Sequence, residues 1–200
     1  PYSPTVLIQQ ADLLFEFGSY VDAQERYREA LKFDPGRHHA WAQVGRLYAM
    51  SSEWELSSRA WYLALQRDPD NVDYLLGLAE ALHGQGLEQE ELALYQRALM
   101  LAPDTRGLRS KIAWIHATSR NGALRDPVVA LRLAEIDLRM SDGKSARALE
   151  AVAAARAALG EFDVARELTM QAEKMAFNND DDVLAGRIRE RRATYLPNGD

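Results

Sequence analysis

A phrase that ends in proline returns at a fixed step. ALKFDP at 30–35, ALQRDP at 64–69 and ALMLAP at 98–103 place Pro35, Pro69 and Pro103 34 residues apart. A period of roughly 20 to 50 residues marks stacked supersecondary units, each of which buries its apolar face only against its neighbours. The rest of the phrase keeps the same time. Small residues recur at Ala11, Gly45 and Ala79, at Ala23 and Ser57, and at Ala30, Ala64 and Ala98. Large ones recur at Leu7, Trp41 and Leu75, at Leu14, Tyr48 and Leu82, and at Tyr27, Trp61 and Tyr95. Small side chains let helices approach closely, and the large ones fill the spaces between them.

Within each unit the apolar residues fall at helical steps of three and four, as in Leu7, Ala11, Leu14 and then Ala23, Tyr27, Ala30. Gly18, Ser52 and Gly86 stand where a first helix has to stop, and the prolines follow each second helix because proline cannot continue one. Asp34, Asp68, Asp70 and Asn71 supply side-chain acceptors for turns and for the free N–H groups of the next helix. Each unit reads helix, turn, helix, turn.

This pattern resembles the tetratricopeptide repeat family, most clearly in AWAQVGRLYAMSSEWELSSRAWYLALQRDP at 40–69. The resemblance implies an all-α, right-handed superhelical solenoid. About five units, at 4–37, 38–71, 72–105, 106–145 and 146–179, with a capping helix over 180–196, form a single domain across 1–200. Glu91 stands where a small residue is expected and Gln10 where the family prefers leucine, two departures expected to loosen packing locally.

Beyond Pro103 the phase changes. SKIAWIHATSR at 110–120 keeps the first-helix pattern, but its partner PVVALRLAEIDLRM at 127–140 starts late, so the intervening NGALRDP reads as an insertion that projects as a longer turn. ALEAVAAARAALGEFDVARELTMQAEKM at 148–175 recovers the pattern. These two segments also resemble the closing units of bacterial proteins whose tetratricopeptide repeats are appended to another domain. The final stretch is acidic at its start and basic at its end, an order that suits a helix dipole and a cap over the last apolar face. The alternative for Arg187, Arg189, Arg191 and Arg192, a nucleic-acid patch, fits poorly with a formal net charge of −6, so no nucleic-acid partner is expected.

Composition removes most chemistry. There are no cysteines, hence no disulfide, thiolate site or cysteine nucleophile, and a reducing or an oxidising compartment fits equally well. No run approaches the roughly 18 to 20 apolar residues that cross a bilayer, so no insertion of this segment is expected, in a cytoplasmic or periplasmic setting alike. Pro1 opens the chain without a methionine, which suggests a piece of a longer product. His38, His39, His83 and His116 lack metal-site spacing, HGQGLEQ at 83–89 and SDGKS at 141–145 lack the full phosphate-loop pattern, and Ser51, Ser52, Ser57 and Ser58 have no histidine patterned to activate them. No catalytic residue, cofactor or metal is expected.

In the family the concave face is lined mainly by first helices and holds a partner. Carried onto this chain, that implies a groove set of Ile8, Asp12, Phe15, His39, Arg46, Leu76, Glu80, His83, Lys111 and Trp114. Phe15 and Trp114 are the expected apolar anchors, since a large aromatic left open on a groove needs a partner. The Lys/Asn/Arg clamp of one subfamily, which holds a C-terminal carboxylate, is absent: its places carry Ile8, Asp12, Gln43, Asp73 and Gly77. The expected function is a non-catalytic scaffold that binds a peptide or helix of another protein. The alternative is the regulatory or substrate-docking part of a larger enzyme such as a bacterial membrane glycosyltransferase.

Overall fold

The computed structural model describes residues 3–192. Among these residues the structure is all helix and no strand: α1 (Pro4–Glu16), α2 (Tyr20–Phe33), α3 (His38–Met50), α4 (Trp54–Leu65), α5 (Val72–Gly84), α6 (Glu88–Leu101), α7 (Leu108–Thr118), α8 (Pro127–Met140), α9 (Ala146–Ala158), α10 (Phe162–Asn178) and α11 (Asp182–Arg192). Successive helices pair as α1/α2, α3/α4, α5/α6, α7/α8 and α9/α10, and α11 packs on α10. Residues 193–196 of the expected cap lie outside the described residues. The chain divides into two compact units, Pro1–Ala102 and Pro103–Asp200.

In unit 1 the turns fall where the period puts them. Gly18, Ser52 and Gly86 follow the first helices with φ of 78°, 57° and 74°, the left-handed conformation that lets a chain leave one helix and start an antiparallel one. Tyr27 and Leu31 of α2, Ala40, Val44 and Leu47 of α3, Ala11, Ala23 and Ala60 form one buried cluster. The small positions are used as holes. The Trp61 ring lies so close to Gly45 and Gly77 that neither backbone has room for a Cβ, and Trp54 fills the corresponding space at Gly84. Ser57, in another small place, donates its hydroxyl to the Gly45 carbonyl at 2.8 Å, which satisfies a polar group in the α3/α4 seam.

Glu91 does not loosen the packing at its small-residue place. It is 3% exposed and hydrogen-bonds His83 Nδ1 at 3.1 Å, so the longer side chain ties α6 back to α5. Burial, with the Glu91 charge beside it, pushes the Tyr95 hydroxyl well above the ordinary tyrosine range. Gln10 is half-buried on α1.

Unit 2 is built differently. α9 packs against α7, α8 and α10 and is buried on every side, mostly through alanines: Ala148 and every residue from Leu149 to Ala155 are buried. The start of α7 has no cap of its own, because Gly107 is its N-cap with φ 79°. Asp137 of α8 supplies the cap from a distance. Its carboxylate accepts the Gly107 N–H and the Ser110 N–H, each at 3.1 Å, and the Ser110 hydroxyl as well. At 2% exposure this carboxylate is tolerable only because those donors and the positive helix end surround it.

The insertion is exposed at residues 120–123 and 125–126, yet its base is tied down. The Leu124 carbonyl lies 2.6 Å from His116 Nδ1, the Asp126 N–H reaches the His116 carbonyl at 3.0 Å, and Ser119 is fully buried. Only the tip of the loop projects.

Candidate partner-binding face

The structure gathers four of the expected residues in unit 1. Asp12, Phe15, His39 and Arg46 project from α1 and α3, whose facing positions are set by the steps of three and four along each helix. Asp12 Oδ1 accepts from the Tyr27 hydroxyl at 2.5 Å and lies 3.4 Å from His39 Nε2. Burial first, then the hydrogen bond to Asp12, raises the Tyr27 hydroxyl far above the ordinary tyrosine range, so it stays a donor. The Arg46 guanidinium sits 5.0 Å above the Phe15 ring, which also meets Tyr20 edge to face at 5.3 Å. Phe15 is therefore half-buried under an arginine and is not an open anchor. What remains at the surface is the exposed Arg46 side chain over an aromatic ring, and the exposed His39 imidazole.

A cleft of about 460 Å³ adjoins this cluster, lined by Ile8, Gln9, Arg37 and His39 among others. Arg37 spans its edge, donating to Asp34 Oδ2 at 2.7 Å and to Thr5 Oγ1 at 3.3 Å. The Arg37 hydrogen bond, helped by the Gly36 N–H, holds the Asp34 carboxyl below the usual carboxylate range. The other residues of the set in this unit lie on α5: Leu76 is half-buried, Glu80 is exposed, and His83 is exposed and bonded to Glu91.

Lys111 and Trp114 lie on α7 in unit 2, Lys111 exposed and Trp114 half-buried. Trp114 too is covered by an arginine from its own chain. The Arg191 guanidinium lies 4.2 Å over its ring and donates to Glu150 Oε1 at 2.7 Å, so α7, α9 and α11 are clasped by one stack. Glu150 is 5% exposed, and the arginine is its compensating charge. Arg189 and Arg192 both donate to Glu173, at 2.6 and 2.9 Å. Three arginines of the basic run thus fasten α11 to the helices beneath it. The pairing of Trp114 with Arg191 was not visible in the sequence, although the arginine run itself was; Tyr27 was visible as a periodic aromatic but not as a hydrogen-bond donor.

Among the described residues no group of three or more histidine, aspartate or glutamate side chains is placed to hold a metal ion, and no helix is long and apolar enough to cross a membrane. No protein-family model matches the chain. Over 84 residues it is 32% identical to the Protein CTR9 homolog of Arabidopsis thaliana, which covers 42% of this chain but only 8% of that protein. Its structure is similar to that of MamA protein (TM-score 0.73, 16% identity, 90% of this chain and 94% of that one). It is also similar to YrrB, described as a TPR protein with an unusual peptide-binding site (TM-score 0.72, 21% identity, 92% and 90%). A mutant O-GlcNAc transferase of Thermobaculum terrenum matches over 68% of this chain and 26% of that one, with TM-score 0.58 and 20% identity. The periodic helix pairs and these likenesses agree: the chain has the helix-pair fold of tetratricopeptide-repeat proteins.

Proposed function

We propose that the chain is a non-catalytic protein-interaction scaffold that binds a peptide or helix of a partner protein on its first-helix face. The observation that carries this reading is the Arg46 guanidinium stacked on Phe15 beside the Asp12–His39 pair. A preorganised arginine loses little freedom when a carboxylate docks on it, and aromatic and arginine contacts dominate interface energetics. The ligand that suits this face is an extended or amphipathic segment that sets an acidic group against Arg46 and an apolar side chain beside Phe15. The peptide-binding site named for YrrB, on a similar fold, supports the reading.

Peptides selected from a displayed random library on the purified chain give the test. Arg46→Ala and Phe15→Ala are expected to weaken the selected peptides about tenfold or more, and Lys174→Ala on α10 to leave affinity unchanged. Equal affinities across the three variants would move the binding surface elsewhere.

A second reading makes the chain the docking part of a larger enzyme, such as a membrane glycosyltransferase. The small share of the transferase that the likeness covers favours it. The full reading frame decides it: a catalytic domain in the same frame supports this reading, and a frame of helix pairs alone removes it.

A further inference from the structure

α1 carries a stripe whose counterparts are buried in the other two helix pairs of unit 1. Val6, Gln10 and Leu13 stand one period before Ala40, Val44 and Leu47 of α3 and two periods before Tyr74, Leu78 and Ala81 of α5. Those six later residues are at most 9% exposed, whereas Val6 is 39% and Leu13 54% exposed. Phe17, one turn further along the same stripe, is 82% exposed, and Val21 at the start of α2 is 80% exposed. Single exposed apolar residues are ordinary, but Val6 and Leu13 stand open at positions that are interior in both later pairs, and Phe17 and Val21 extend the apolar surface beside them.

The chain itself shows what covers such a stripe. α2 packs on α3, and α4 packs on α5. Tyr27 and Leu31 from α2 share a core with Ala40, Val44 and Leu47, and Trp61 from α4 lies on Gly77 of α5. Every second helix of unit 1 repeats the same pair, an aromatic followed four residues later by leucine: Tyr27 and Leu31, Trp61 and Leu65, Tyr95 and Leu99. A step of four puts the two on one face. Charge points the same way. α1 carries Asp12 and Glu16 and no basic residue, while α2 balances Asp22, Glu25 and Glu29 with Arg26, Arg28 and Lys32. Two copies of α1 laid against each other would bring acids together with no base between them, whereas a second helix of the α2 kind carries bases and acids in equal number and avoids that repulsion.

We propose that the Val6 and Leu13 face of α1, with Phe17 at the helix's C-terminal cap, docks one more tetratricopeptide-type helix pair, whose second helix lays an aromatic and a leucine across the stripe as α2 does on α3. The surface is distinct from the Arg46 face and does not depend on it. The partner is a repeat helix pair, and a second copy of this chain is the competing occupant.

The test extends the full chain by a copy of residues 3–36, inserted directly before Ser3 so that the step of 34 is kept and the added second helix offers the Tyr27 and Leu31 pair of α2. The added pair is expected to raise the folding equilibrium constant of unit 1 by about tenfold or more, read from urea unfolding, since each repeat interface adds to stability. The double substitution Leu13→Ser, Phe17→Ser is expected to leave the parent chain's midpoint unchanged and to abolish the gain in the extended chain. No gain, or a gain that survives the double substitution, overturns the proposal. So does a parent chain that dimerises in sedimentation velocity and becomes monomeric on the same substitutions, because the second copy is then the occupant.

Discussion

Unit 1 and unit 2 have the same kind of helix pairs and hold them together by different chemistry. In unit 1 the contact is mainly one of volume, with the buried Glu91 tying α6 to α5: Trp61 and Trp54 press into Gly45, Gly77 and Gly84. In unit 2 the knobs shrink to the alanines of α9, and buried carboxylates make the specific connections, Asp137 to the start of α7 and Glu150 to Arg191. Shape contacts tolerate gradual change, because a neighbour can relax into part of a cavity. A buried carboxylate does not, since removing either side leaves an unpaired polar group out of reach of water. Unit 2 is accordingly the more brittle of the two at single positions.

That contrast orders the effects of substitution. Asp137→Ala is expected to cost about 3 kcal/mol, because it orphans two N–H groups and a hydroxyl at the α7 end, and urea unfolding measures the loss. A cost under about 1 kcal/mol would mean that α7 is capped some other way. Gly77→Ala in unit 1 sets two opposed effects against each other. Alanine gains about 1 kcal/mol of helix propensity, but the new methyl meets the Trp61 ring, and overpacking costs about 1 to 3 kcal/mol. The account expects a net loss of about 1 kcal/mol and a shift in tryptophan fluorescence; net stabilisation would show that Trp61 is loosely held. The smallest effect is a gain. Ser52 holds φ at 57° where its counterparts Gly18 and Gly86 are glycine, so Ser52→Gly is expected to stabilise unit 1 by about 0.5 to 1 kcal/mol in the same assay.

The same contrast explains what the sequence disclosed. Helix pairs, their turns and the small and large positions of unit 1 were legible because Pro35, Pro69 and Pro103 and the residues in phase with them encode local backbone needs that recur. The late start of the helix at Pro127 was legible for the same reason. The polar connections of unit 2 were not. Asp137 meets Ser110 27 residues away and Arg191 meets Glu150 41 residues away, and neither distance is a period of the chain. Phe15 and Trp114 show the limit most clearly: each was rightly placed on a first helix, yet the arginine that covers it comes from another helix whose approach no local pattern records. Glu91 failed as an expectation for a related reason, since its partner His83 sits on the neighbouring helix and turns an oversized side chain into a tie.

The division of chemistry between the units is tested most directly by alkali. Tyr27, Tyr74 and Tyr95 all lie in unit 1, and burial raises each hydroxyl above the ordinary range, with Asp12 adding to Tyr27. Only Tyr195 follows Tyr95 in the sequence. A tyrosine whose folded pKa lies above its unfolded value of about 10 contributes stability that is complete below that pH and is lost as pH rises beyond it, because the unfolded chain releases the proton first. Alanine methyl resonances report both units at once, with Ala11, Ala23 and Ala60 in the unit 1 core and Ala151, Ala154 and Ala155 in the unit 2 core. In an NMR titration upward from neutral pH, the unit 1 methyls are expected to lose their dispersion above about pH 10 while the unit 2 methyls keep theirs. Loss of both sets together, or of the unit 2 set first, would contradict the account.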